Sequence, residues 1–313
     1  MKILFMGSPE FAKPTLEMLC RSIHKVVGVF CQPDRPTGRG QILSSPPIKD
    51  FALSNNIFVY QPSTLKDKSL FNNIQTLNPD IIIVVAYGQL LPKEIINFPR
   101  FKCVNLHASL LPKLRGAAPI NWALIRGETE TGITTMLMDE GLDTGDILLQ
   151  EKIPITSEDD AMTLYDKLSQ LGAQKILETI ECLNQGKITP IKQDHGKATS
   201  APKLKKINGL INWDSSPLDI FNLVRGTYKW PGAFTFYRNK RFKILKTVLP
   251  DIMRNGKPAS ILYSGDSGIE IAARGGSLLI TKVQMEGKPE MTAHQFSLGC
   301  PIKPGEYFSS SLG

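Results

Sequence analysis

The sequence predicts a doubly wound, mostly parallel α/β domain with a Rossmann-like sheet, followed by a small OB-like β-barrel. Three observations carry that prediction. Strand and helix signals alternate through residues 1–185. Asp80–Val85 is a continuous apolar run after Asn78-Pro79, the pattern of a strand buried on both faces of a parallel sheet. Beyond residue 230, short β-like runs separated by turn residues replace the helical periodicity. The 313 residues suffice for two domains at roughly 150 residues each. A content of 42% hydrophobic and 21% charged residues excludes disordered, collagen-like and coiled-coil chains.

Each element has its own signal. Lys2–Met6 reads as the first strand, because its apolar run is too short for a signal-peptide core. Ser8 followed by Pro9 predicts a capped helix start. Lys25–Cys31 and Ile57–Tyr60 are β-rich. Cys103–His107 and Ile133–Met138 flank a helical segment at Ile120–Arg126. Across Glu158–Leu183, Leu164, Leu168, Leu171, Ile176 and Ile180 recur near helical spacing, and Gly186 ends the helix. Gln185–Ile211 is polar and broken by Gly186, Pro190, Gly196, Pro202 and Gly209, as in a linker. The expected division is therefore 1–189, a linker at 190–207, and 208–313. Ser216-Pro217 opens a short helix reaching about Arg225. Ala233–Arg238, Arg241–Leu249, Ser260–Tyr263, Gly268–Ala272 and Ser277–Gln284 then supply the barrel strands.

Charge separates the two parts. Residues 1–200 hold 21 basic and 21 acidic groups, whereas residues 201–313 hold 16 and 8, so the whole net charge of +8 lies in the last third. A basic module joined to a neutral one suits a polyanion partner, or is simply a basic soluble domain. The five scattered cysteines form no CxxC pair, which excludes a disulfide framework or zinc knuckle and fits a reducing cytoplasm. The four histidines lie far apart with no HExxH, so no metal is expected. The longest apolar run, Ile81–Ala86, is far short of the ~18–20 residues of a membrane span.

The turn after the first strand, Gly7-Ser8-Pro9-Glu10, is not GxGxxG, and no GxxxxGK[ST] loop exists. Asn105 and His107 are more informative. Two apart on a strand, they project from one face near its carboxyl end, where ligands bind in open α/β sheets. A carboxamide beside an imidazole suits a developing oxyanion, though the pair also fits an ordinary strand end. Asp143, in a Gly-bracketed acidic loop, can orient or charge-stabilise the imidazole, or be a solvated turn. Ser109–Gly116 form an irregular apolar loop beside the same strand end, suited to a flat heterocyclic ligand or simply a buried connection. Arg35 and Arg39, in the loop Gln32–Gly40, can clamp phosphates or lie in solvent.

Together these segments resemble the methionyl-tRNA formyltransferase family along the whole chain. The strings are MGSPEFA at 6–12, QPDRPTGRG at 32–40, AYGQLLP at 86–92, NLHASLLPKLRGAAPINWA at 105–123, GLDTGDIL at 141–148, KATSAPKL at 197–204, INWD at 211–214 and WPGAF at 230–234. The resemblance implies transfer of a formyl group from 10-formyltetrahydrofolate to methionyl-initiator-tRNA, in the cytoplasm, by a monomer without metal. It implies that Asn105, His107 and Asp143 are the catalytic trio; the mechanism expected of them stabilises the oxyanion with the Asn105 amide and protonated His107, Asp143 holding the imidazolium. It makes Ser109, Leu110, Leu111 and Pro112 the folate-contacting loop, with AYGQLLP flanking the pterin and Thr134 supporting the trio. It assigns the tRNA acceptor arm to Arg39 and Arg35, and to Lys203, Lys205 and Lys206. Ser200 and Leu114 depart from the family pattern, which favours aromatic residues there. A formyltransferase for a small amine, or a non-enzymatic RNA binder on the same fold, are the rival readings.

Overall fold

The computed structural model describes residues 1–37 and 40–310. The chain forms two compact units that interleave in sequence. The first holds Met1–Pro119, Thr131–Ile153 and Tyr165–Ala201, and the second holds Ile120–Glu130, Pro154–Leu164 and the chain from Pro202 onward.

The first unit is built on strands β1 (Lys2–Gly7), β2 (Lys25–Phe30), β3 (Arg35–Thr37), β4 (Ile42–Ser44), β5 (Val59–Tyr60), β6 (Ile81–Val85), β7 (Cys103–His107), β8 (Glu130–Leu137) and β9 (Ile147–Pro154). Seven of these form one sheet in the order β5-β2-β1-β6-β7-β8-β9. The pairs β1–β2, β1–β6, β2–β5 and β6–β7 are parallel, and β7–β8 is antiparallel. The chain moves outward from β1 to β5, then returns to place β6 on the other side of β1. That reversal opens a crevice at the carboxyl ends of the central strands. Helices α1 (Lys13–Arg21), α2 (Pro47–Ser54), α3 (Lys68–Leu77), α4 (Lys93–Asn97) and, from Tyr165 onward, α6 (Ala161–Asn184) alternate with the strands, whereas α5 (Pro119–Ile125) belongs from Ile120 to the second unit. The five residues of β6 are all buried, as its unbroken apolar run requires. Leu4, Met6, Ile82 and Val84 pack on one face with Leu70, Ile74, Ile95 and Ile96.

Two local details differ from the sequence expectation. Ser8 does not cap a helix; its hydroxyl accepts the Gln32 backbone N–H at 3.0 Å and so ties the ends of β1 and β2 together. The helix is instead entered through a 3₁₀ turn, Glu10–Ala12, after an extended Pro9. Within the Pro/Gly-rich stretch after β2, β3 and β4 pair as an antiparallel hairpin. Its base is held by Asp34, which accepts from Gln61 Nε2 at 2.7 Å and from Lys49 Nζ at 2.6 Å. Arg39 lies outside the described residues.

The segment read as a linker belongs to the first unit as far as Ala201. Ile191 bridges Ile147, and Ser200 bridges Arg115.

In the second unit, α7 (Pro217–Gly226) begins with a reciprocal cap: Asp219 N–H donates to Ser216 Oγ at 3.2 Å and Ser216 N–H to Asp219 Oδ2 at 3.3 Å. The strands β10 (Ala233–Tyr237), β11 (Lys240–Val248), β12 (Ile261–Gly265), β13 (Gly268–Ala273), β14 (Gly276–Met285) and β15 (Met291–Thr292) precede α8 (Ala293–Gly299). The sheet order is β10-β11-β14-β13-β12 with β15 on β14, and these pairs are antiparallel. The two outer strands are joined by the C-terminal segment. Ser309 exchanges backbone hydrogen bonds with Phe236 of β10, while Ile261 N–H donates to Glu306 O and Phe308 N–H to Ala259 O beside β12. Bridging both edges closes the sheet on itself, which removes exposed strand edges. Phe242, Phe296, Phe308 and Trp213 fill the interior with Ile244, Ile271 and Ile280.

Candidate active site

β7 places the first two candidates. Asn105 and His107 share a face, while Leu106 between them points to the other face, where it packs against Gly172 of α6 so closely that a Cβ there would lie 2.5 Å from Leu106 Cδ2. His107 is buried, and its Nε2 lies 2.9 Å from the Leu114 carbonyl. A carbonyl only accepts, so Nε2 carries the proton. Nδ1 then faces Asp143, with Oδ2 at 3.7 Å. Asp143 Oδ2 also accepts the Gly116 N–H at 2.8 Å. Asn105 is half-buried, and among the described residues its carboxamide has no hydrogen-bond partner.

The backbone at this point is shaped by left-handed residues. Asp143 has φ 54° and Leu114 has φ 59°. Such conformations cost on the order of 1–3 kcal/mol each and persist only where neighbours enforce them. Here the neighbours are visible. Leu114 N–H donates to Thr199 Oγ1 at 2.9 Å, and Arg115 N–H to Thr199 O at 2.8 Å. Gly145 is required beside Asp143: a Cβ would fall 1.8 Å from the Leu137 carbonyl.

The loop after β7 is folded inward. Ser109 Oγ donates to Lys113 O at 2.7 Å, and the Leu111 side chain packs with Met136 and Ile147. These two side chains are therefore occupied internally, leaving half-buried Leu110, Pro112 and the loop backbone for a ligand. Thr134 is opposite His107 in the β7–β8 register and anchors this loop. Its hydroxyl donates to Ser109 O at 2.6 Å and accepts from Leu111 N–H at 3.1 Å and Gln150 Nε2 at 2.8 Å. Thr134 thus supports the 109–112 loop, not the Asn105/His107/Asp143 group. At the neighbouring strand ends, Gln32 Nε2 donates to Tyr87 O at 3.1 Å.

The basic candidates lie elsewhere. Arg35 is exposed on β3, donating to Gln32 Oε1 at 3.0 Å. Lys203, Lys205 and Lys206 are exposed in the second unit. Among the described residues, no group of three or more metal-ligating side chains occurs, and no helix is long and apolar enough to cross a membrane.

Sequence reasoning missed Gln193, Gln150 and the Leu114 carbonyl. Gln193 Nε2 donates to Asp143 O at 3.0 Å and Gly145 O at 2.7 Å, and its Oε1 accepts from Arg115 Nε and Nη2. Thr199 was inside the string at 197–204 but carried no stated role.

Residues 1–180 match the formyl transferase family and residues 203–301 the formyl transferase C-terminal domain. A methionyl-tRNA formyltransferase of Alkaliphilus oremlandii is 48% identical over 97% of this chain and 98% of its own. Another, from Geotalea uraniireducens, is 47% identical over 97% of each. Among solved structures, the sugar 3N-formyl transferase WlaRD is similar at a TM-score of 0.67 and 21% identity, over 92% of this chain and 99% of that one. HypX from Aquifex aeolicus, solved with tetrahydrofolic acid, gives a TM-score of 0.62 at 17% identity; this chain is 99% covered but spans only 50% of HypX. The two structural likenesses establish the fold. The full-length sequence identities go further: this chain belongs to the methionyl-tRNA formyltransferase family.

Proposed function

We propose that this protein transfers the formyl group of 10-formyltetrahydrofolate to the α-amino group of methionyl-initiator-tRNA, giving N-formylmethionyl-tRNA for translation initiation. The observation that carries this reading is the Asn105 carboxamide, without a hydrogen-bond partner among the described residues, on the same strand face as His107, which is buried and paired with half-buried Asp143, in a chain of this family. The residues fit a folate formyl donor. The Asn105 amide, unpartnered among the described residues, sits near the carboxyl end of β7, beside a loop that leaves apolar surface and backbone groups at Leu110 and Pro112. When bound, the donor supplies an activated formyl carbon whose oxygen gains negative charge as the amine adds; collapse then breaks the bond to the folate nitrogen, and the proton the amine loses balances the one the departing tetrahydrofolate nitrogen gains.

Asn105 donates its N–H to that oxygen. His107 commits its Nε2 proton to the Leu114 carbonyl. Once protonated it acts through its positive charge, with Asp143 as counter-charge. The incoming α-amino group titrates near ~8, so roughly a tenth is neutral at pH 7 and a strong base is unnecessary.

In this proposal residues 1–189 are catalytic, 190–207 connect, and 208–313 bind tRNA. Arg39, Arg35, Lys203, Lys205 and Lys206 contact the acceptor arm. The protein acts in the cytoplasm as a monomer. A single-turnover assay with 10-formyltetrahydrofolate tests the reading, offering charged initiator tRNA, charged elongator methionine tRNA, glycinamide ribonucleotide and an amino-sugar nucleotide in parallel. Formyl-methionine on the initiator alone is the expected result. Transfer to a small amine instead would overturn the tRNA assignment.

A further inference from the structure

Gln193 belongs to no motif and lies in a polar stretch with no periodicity, yet it is only 5% exposed. Its amide is used at both ends. The two N–H groups hold the carbonyls of Asp143 and Gly145, and the oxygen takes two donors from the Arg115 guanidinium. Arg115 directly follows Leu114, whose carbonyl holds His107, and precedes Gly116, whose N–H holds the Asp143 carboxylate. One buried amide therefore joins the two loops that carry the His107–Asp143 pair. The Asp143 backbone is left-handed, so it relaxes unless something retains it.

We propose that Gln193 is a positioning residue for formyl transfer, fixing the Asp143 carboxylate against His107 through the Asp143 and Gly145 carbonyls. The proposal rests on the functional reading above, and its consequence is specific. Gln193 meets the reacting groups only through other residues, so its loss lowers kcat and leaves both KM values nearly unchanged.

Two readouts test it. In the free protein, ring ¹⁵N signals of His107 are compared in wild type, Gln193→Met, Asp143→Asn and the double variant. Gln193→Met moves those signals in the same direction as Asp143→Asn, and the double variant moves them no further than Asp143→Asn alone. Signals that stay at their wild-type positions in Gln193→Met overturn the proposal, whatever the enzyme's substrate. In turnover, Gln193→Met lowers kcat about tenfold or more, since a misplacement near 1 Å costs up to about 10²-fold, with each KM within about twofold. Gln193→Glu keeps the acceptor for Arg115 but loses both donors, and it falls equally. Wild-type turnover in Gln193→Glu would show that the Arg115 pairing alone suffices and would also overturn the proposal. Inactivity of the wild type toward methionyl-tRNA would sink the functional reading, while the ring signals still decide the role of Gln193.

Discussion

In the proposed mechanism the chemistry is divided between two side chains that stand two residues apart. Asn105 keeps a free donor, and His107 spends its own on Leu114. Removing one donor to a developing oxyanion costs about 10²–10³ in turnover. Asn105→Ala is therefore expected to lose about that much kcat in a saturating formylation assay, and unchanged turnover would remove Asn105 from the chemistry. The proposed mechanism uses no thiol. Cys31 is fully buried at the end of β2, and burial pushes its thiol up to about 11. At pH 8 only about one part in a thousand is thiolate, so it reacts slowly with disulfide reagents. Mass spectrometry after brief labelling of the native protein should find Cys182 and Cys300 modified well before Cys31 or buried Cys103. Early labelling of Cys31 would mean that the end of β2 opens. The sequence revealed Asn105 and His107 because strand alternation is a local rule. It hid Gln193, whose partners lie 78 residues away at Arg115 and 50 away at Asp143, and a single polar residue in irregular chain announces neither.

The elements themselves were readable wherever a periodicity ran long enough. β7 was read at its observed bounds, and α6 and α7 within a few residues, because apolar spacing and the Ser216 cap are signals carried within one segment. Pairing between distant segments was not readable. The β3–β4 hairpin looked like a loop, and the C-terminal segment that bridges β10 and β12 has no strand-like pattern. That segment is nonetheless part of the core. Phe308 is 3% exposed, and its ring stacks on Phe242 at 5.1 Å and on Trp213 at 5.7 Å. Core Phe→Ala changes cost about 3–5 kcal/mol. Phe308→Ala should lower unfolding stability by that amount in urea melts followed by tryptophan fluorescence. A loss below about 1 kcal/mol would show that the closing segment is dispensable to the barrel.

At the scale of the whole molecule, the division of charge separates two kinds of binding. The first 200 residues are neutral and hold the candidate chemistry, whereas the remainder carries the entire excess of +8. A polyanion bound by that excess releases counterions, and each phosphate neutralised adds roughly 0.7–0.9 to the slope of log affinity against log salt. A small folate donor has no comparable counterion shell. Raising salt should therefore increase the KM for charged tRNA steeply while leaving the KM for the formyl donor and the saturated kcat nearly flat. Lys203, Lys205 and Lys206 give this expectation its sharpest form, because all three are exposed at the start of the second unit. If each meets a phosphate, replacing the three by Ala reduces the salt slope for tRNA by roughly 2–3 and weakens initiator and elongator tRNA alike. A change in kcat for the donor would instead mean that these lysines shape the catalytic domain. An unchanged slope would move the phosphate contacts to other basic residues of the barrel.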